Sequence, residues 1–137
     1  MGGATADVIP VGVLPGGELQ LPEDPTVVGW WASSAPIGAL SGSVVVAGHV
    51  DSRRYGLGTF AVLHELRAGD DVRLVADDGV ERRYVVTTVE QTPKAALPSD
   101  LLSRSGPPRL VLITCGGDFD DTTRHYHDNV IVVATPA

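Results

Sequence analysis

Cysteine occurs once in this 137-residue sequence, at Cys115, where the apolar run Leu110-Val111-Leu112-Ile113-Thr114 meets Gly116-Gly117. A thiol at the end of a core strand is a candidate nucleophile if a neighbour stabilises its thiolate or takes its proton. Taken alone, it reads first as the small buried hydrophobe that most free cysteines are. Of the four histidines, His49 is the best placed partner, because it too follows a buried strand, Ser43 to Ala47, and opens a loop, Gly48-His49-Val50-Asp51-Ser52. A thiolate attacking a carbonyl also needs a donor for the developing oxyanion. Arg124, nine residues after Cys115, lies where the chain re-enters the sheet. It serves either as that donor or as a loop charge balancing Asp118, Asp120 and Asp121, and spacing leaves both readings open.

Other chemistries fit less well. His125 and His127 are two apart on the last strand and share a face, but no third ligand of the usual kind accompanies them, so no metal is expected. His64 falls in an amphipathic turn and is expected at the surface. Asp118, Asp120 and Asp121 lack the glycine and terminal glutamate of a calcium loop, and read as a solvated acidic turn. A cysteine phosphatase needs Cys-x5-Arg, whereas the residue six after Cys115 is Asp121. In papain-like proteases the cysteine precedes its histidine and opens a helix. Here His49 precedes Cys115, and both sit on strand ends.

The elements that would position these groups are mostly strands. Val8 to Leu14 and Glu18 to Leu21 read as two short strands able to form a hairpin about Pro15-Gly16-Gly17. Ser43 to Ala47 reads as an apolar strand buried on both faces. Phe60, Leu63 and Leu66, spaced by three, suit a short helical turn packed on the sheet. Gly69-Asp70-Asp71 leads into a strand over Val72 to Ala76, and Asp77-Asp78-Gly79 is a hairpin signal returning the chain along Glu81 to Gln91. A short helix is expected over Ser99 to Ser103, with Ser99 as its cap. The central strand starts at Arg109, and the glycine pair is expected to end it in a polar loop over Gly116 to Thr123. The last strand is Tyr126 to Thr135. The tryptophans Trp30 and Trp31 read as packing residues.

The chain is long enough for one core without staples, and residues 4–137 read as a single domain after an expression leader, Met1-Gly2-Gly3. Seventeen carboxylates against ten Lys and Arg give a net charge of −7, which disfavours nucleic acid as a partner. No apolar run reaches the roughly 18 residues of a transmembrane helix. With many short Val-rich runs and little helix, the chain is expected to be all-β, a barrel or sandwich.

The segment Ala47-Gly48-His49-Val50-Asp51-Ser52, then Gly69-Asp70 before a hairpin, then Leu112-Ile113-Thr114-Cys115-Gly116-Gly117 and the strand Tyr126 to Ala134, resemble a sortase. The resemblance runs from about Val8 to the end and is closest to the class F sortases of actinobacteria. It implies a sortase-like eight-stranded β-barrel with one or two short helices. The usual opening strand of the form I-P-x-I-G is not evident, so the barrel is expected to lack its first strand or to borrow one.

The resemblance further implies a cysteine transpeptidase of Gram-positive cells that cleaves an LPxTG-type sorting signal between Thr and Gly. It would hold the fragment as a Cys115 thioester and pass it to an amine on the cell wall or a pilin, without a cofactor. It implies His49 as catalytic histidine and Arg124 as the arginine, although better-known sortases carry theirs nearer the place of Asn129. Asp51, Arg53, Thr114, Gly116 and Asn129 are expected to contact substrate. The protein is expected on the outer face of the membrane, anchored by a segment outside this chain. A thiol hydrolase on the same fold, and a silent peptide-binding barrel, are the alternatives.

Overall fold

Runs of β-branched residues form the strands of this chain, and segments carrying glycine and aspartate turn it between them. The computed structural model describes residues 5–13, 20–22, 24, 26–49, 51–52, 56–76, 79–93, 103, 105–120 and 125–137, with the side chains of 51–52, 56–57, 61, 93, 115–120 and 125–127 outside that description. In chain order the strands are β1 (Asp7–Val11), β2 (Val27–Trp31), β3 (Ser43–Ala47), β4 (Asp51–Ser52), β5 (Gly56–Leu57), β6 (Asp71–Val75), β7 (Glu81–Pro93), β8 (Arg109–Asp120) and β9 (His125–Pro136). Seven of them form one sheet in the order β1-β2-β3-β8-β9-β7-β6, curled into a half-barrel, and β4 pairs with β5 in a separate ribbon. The all-β expectation holds. Against the eight strands implied by the resemblance, the described residues give seven in the sheet and two in the ribbon.

The two central strands are parallel. β3 pairs with β8 from Ser43↔Arg109 to Ala47↔Ile113. Strands covered on both faces read as continuous apolar runs, and Ser43-Val-Val-Val-Ala47 is buried at every position. Alternate residues feed two clusters. Val44, Val46, Leu110, Leu112, Val130, Val132 and Ala134 enter the main core, with Phe60, Leu63, Tyr84 and Val86. Val45, Val111 and Ile131 form a smaller cluster on the other face, flanked by Trp31, Ile113 and Val133.

Thr59–Glu65 is a 3-10 helix, which suits apolar residues spaced by three, since i and i+3 eclipse in that geometry. Phe60, Leu63 and Leu66 are all buried, and His64 is exposed as expected. β6 and β7 form the expected hairpin, paired from Asp71↔Val85 to Val75↔Glu81. Gly79 closes it at φ 81°, a backbone region that glycine enters freely.

Two expectations change, and a third falls almost wholly outside the described residues. β1 is an edge strand paired in parallel with β2, and Gly29 leaves the room that Val11 occupies: a Cβ there would stand 2.9 Å from Val11 Cγ1. Gln20 N–H does donate to the Gly12 carbonyl at 2.9 Å, but Gln20 and Leu21 carry no strand, and Leu14 to Leu19 lie outside the described residues. β8 does not stop at the glycine pair but runs on to Asp120, because β9 pairs with it along that length. The helix expected over Ser99 to Ser103 falls outside the described residues but for its last position, which carries no helix. Among the described residues no helix is long and apolar enough to cross a membrane.

Candidate active site

Parallel pairing brings the end of β3 out beside Ile113, midway along β8. The ladder keeps a constant offset of 66 residues, and it continues past its last pair. Gly48 N–H donates to the Ile113 carbonyl at 3.1 Å, and the Thr114 hydroxyl donates to the Gly48 carbonyl at 2.8 Å. His49 and Cys115 are the residues that follow Gly48 and Thr114 in the chain. Only glycine fits at 48, because a Cβ would stand 2.8 Å from Val28 Cγ1 and 3.1 Å from Phe60 Cδ2. The backbone leading to His49 is thus packed on one side and hydrogen-bonded on the other, and His49 itself is half-buried.

On its other side β8 meets β9, where Cys115 pairs with Asn129. Asn129 in turn pairs with Thr92 of β7. By the two-residue strand period, Cys115 belongs to the row of Val111 and Ile113, on the face of the smaller cluster. Thr114 belongs to the core row with Leu110 and Leu112 and is 2% exposed.

Immediately beyond Cys115 the ladder is irregular. Gly116 still pairs with Asp128, but the next pair is Phe119↔Tyr126, so Gly117 and Asp118 stand opposite His127 alone. Such a bulge bends its strand and redirects the residues beside it. The glycine pair, read from sequence as the end of the strand, is where the ladder slips instead.

The sequence-predicted residues separate accordingly. Cys115 and Asn129 pair across β8 and β9, and His49 lies two residues past the end of β3. Thr114 holds the backbone beneath them. Asp51 lies in the ribbon opposite Leu57, and Gly116 is one step past Cys115. Arg53 and Arg124 lie outside the described residues. The nearest described neighbour of Arg124 is His125, paired with Asp120 and four residues along β9 from Asn129, about 13 Å of extended strand. No group of three His, Cys, Asp or Glu that could hold a metal occurs among the described residues. Sequence reasoning passed over Thr92, whose place in the row follows from register between distant segments.

The sequence pattern of the sortase domain matches residues 5–137. This chain belongs to the sortase family. No curated protein matches it by sequence. Its fold is that of solved sortases: a lid mutant of sortase A from Corynebacterium diphtheriae superposes with a TM-score of 0.66 at 18% identity, covering 82% of this chain and 56% of that one. Sortase C-1 from Actinomyces oris gives 0.64 at 23% identity, covering 82% and 59%. Sortase C1 of Streptococcus agalactiae, solved as a complex with MTSET, gives 0.64 at 18%, covering 82% and 55%. The sortase chain described here therefore spans little more than half the length of these structures.

Proposed function

We propose that this sortase is a cysteine transpeptidase, nearest to class F, that cleaves LPxTG-type sorting signals between Thr and Gly. The observation that supports it most is that Gly48 is hydrogen-bonded to Ile113 and Thr114, the residues on which His49 and Cys115 follow in the chain. In this reading the Cys115 thiolate attacks the threonine carbonyl carbon and forms a C–S bond. The carbonyl oxygen becomes an oxyanion, met by Arg124 and a backbone N–H. Collapse breaks the C–N bond, and His49 gives its proton to the departing glycine amine. An incoming amine then attacks the thioester, loses a proton to His49, and expels the thiolate.

The substrates are sorting-signal peptides of surface proteins, and the acceptor is an amine on the cell wall or a pilin. Such work belongs at the outer face of the membrane of a Gram-positive cell. The test is mass spectrometry of the chain after incubation with LPxTG-type peptides. A thioester on Cys115, absent in Cys115→Ala and discharged by an added amine faster than by water, is the expected result. Turnover by Cys115→Ala overturns the assignment, and release to water alone makes the chain a hydrolase.

A further inference from the structure

Resting on the reading of Cys115 as nucleophile, we infer that Asn129 donates a side-chain hydrogen bond to the carbonyl oxygen that Cys115 attacks, and that Thr92 positions it. Asn129 is the residue directly across the ladder from Cys115. Directly opposed residues in an antiparallel pair share a face, with Cβ atoms about 4.5–5.5 Å apart. The same row of β9 continues as Ile131 and Val133, which pair with Ile113 and Val111. Asn129 thus breaks an apolar pattern at the register position of Cys115. Its carboxamide offers two N–H donors and has no charge to neutralise at working pH.

Thr92 supplies the independent observation. It pairs with Asn129 from the far side, and its Oγ1 is buried without a hydrogen-bond partner. A buried hydroxyl left unpaired costs about 1–3 kcal/mol, so native chains rarely keep one without use. The group directly across from it is a carboxamide. The two side chains are not hydrogen-bonded in this structure, and a rotamer change that lets Thr92 Oγ1 donate to Asn129 Oδ1 would satisfy the hydroxyl and fix which way the amide is turned. The oxygen then points toward β7 and the NH2 toward β8, where Cys115 lies. Among the described residues, the neighbouring Asp128 on the opposite face is engaged elsewhere, accepting from Gln91 Nε2 at 2.8 Å. Asn129 is half-buried, which leaves it reachable by a peptide while partly withdrawn from water.

The experiment compares the wild-type chain with Asn129→Ala, Asn129→Asp, Thr92→Val and Thr92→Ser. Steady-state turnover of an LPxTG-type peptide with an amine acceptor is read beside iodoacetamide alkylation of Cys115 and thermal unfolding. Loss of an oxyanion donor lowers kcat by about 10²–10³-fold. Asn129→Ala and Asn129→Asp are expected to do so with KM changed less than about threefold, Asn129→Ala with alkylation unchanged and Asn129→Asp with alkylation slowed by its added negative charge. Thr92→Val is expected to lower kcat by about tenfold, and Thr92→Ser, which keeps the hydroxyl, to restore it. Asn129→Asp keeps the side-chain volume, so a kcat loss with an unchanged melting temperature separates chemistry from folding. A kcat within about threefold of wild type in both Asn129 variants overturns the inference while leaving the Cys115 reading intact. Equal loss in Thr92→Val and Thr92→Ser overturns the role of the hydroxyl. A wild-type chain that forms no thioester overturns both readings.

Discussion

The hydroxyl of Thr114 lies one residue before the thiol, in the core-facing row, and donates to the carbonyl of the residue before His49. With the Gly48 N–H to Ile113 carbonyl bond, it ties the end of β3 to β8 at the level where parallel pairing stops. Thr114→Val keeps the shape of the side chain but leaves the buried Gly48 carbonyl without that donor, at a cost of about 1–3 kcal/mol. Thr114→Ser keeps the donor and should lose less. Urea denaturation of the two variants measures the difference directly. Turnover should fall further in Thr114→Val than in Thr114→Ser at temperatures where both are folded, because a loosened Gly48 displaces His49.

At the scale of elements, the site depends on how closely β3 can approach the strand and helix beside it. Val28 is 2% exposed and β-branched, and Phe60 is 4% exposed, so neither can retreat from a methyl group added at Gly48. Gly48→Ala should therefore destabilise the chain by about 1–3 kcal/mol through overpacking. Adding Val28→Ala opens the space the methyl needs. The double variant should lose less stability than the two single losses summed, and a double-mutant cycle by thermal unfolding measures that coupling.

These central strands were legible in the sequence because burial on both faces leaves an uninterrupted apolar run, as in Ser43 to Ala47 and Leu110 to Ile113. The 3-10 helix was legible from Phe60, Leu63 and Leu66. His49 and Cys115 stood out because each follows such a run. The continuation of β8 was hidden, since Gly116, Gly117 and Asp118 favour turns locally and only pairing with β9 extends them. The parallel seat of β1 on β2, and the row from Thr92 through Asn129 to Cys115, were hidden for the same reason: register between distant segments leaves no local mark.

At the scale of the whole molecule, the main core is closed at one side by Tyr84, which reaches from β7 to the loop before β3. Tyr84 is 4% exposed, and its oxygen accepts the Gly38 N–H. Burial raises the phenol above its ordinary pKa of 10.0, outweighing the Gly38 hydrogen bond and the nearby Arg82 charge, both of which act downward. The folded chain therefore holds this proton more tightly than the unfolded chain does. Below pH 10 both states are protonated and the full contribution is present. As the pH rises through 10 toward the folded value, the unfolded chain ionises first and stability declines, by up to about 1.4 kcal/mol per pH unit for one such group. Tyr84→Phe should cost about 1 kcal/mol at neutral pH by removing the acceptor of Gly38, and should lose stability less steeply than wild type above pH 10. Urea midpoints from pH 8 to 11 test this, and parallel curves for the two proteins would show that the phenol of Tyr84 ionises as easily in the fold as outside it.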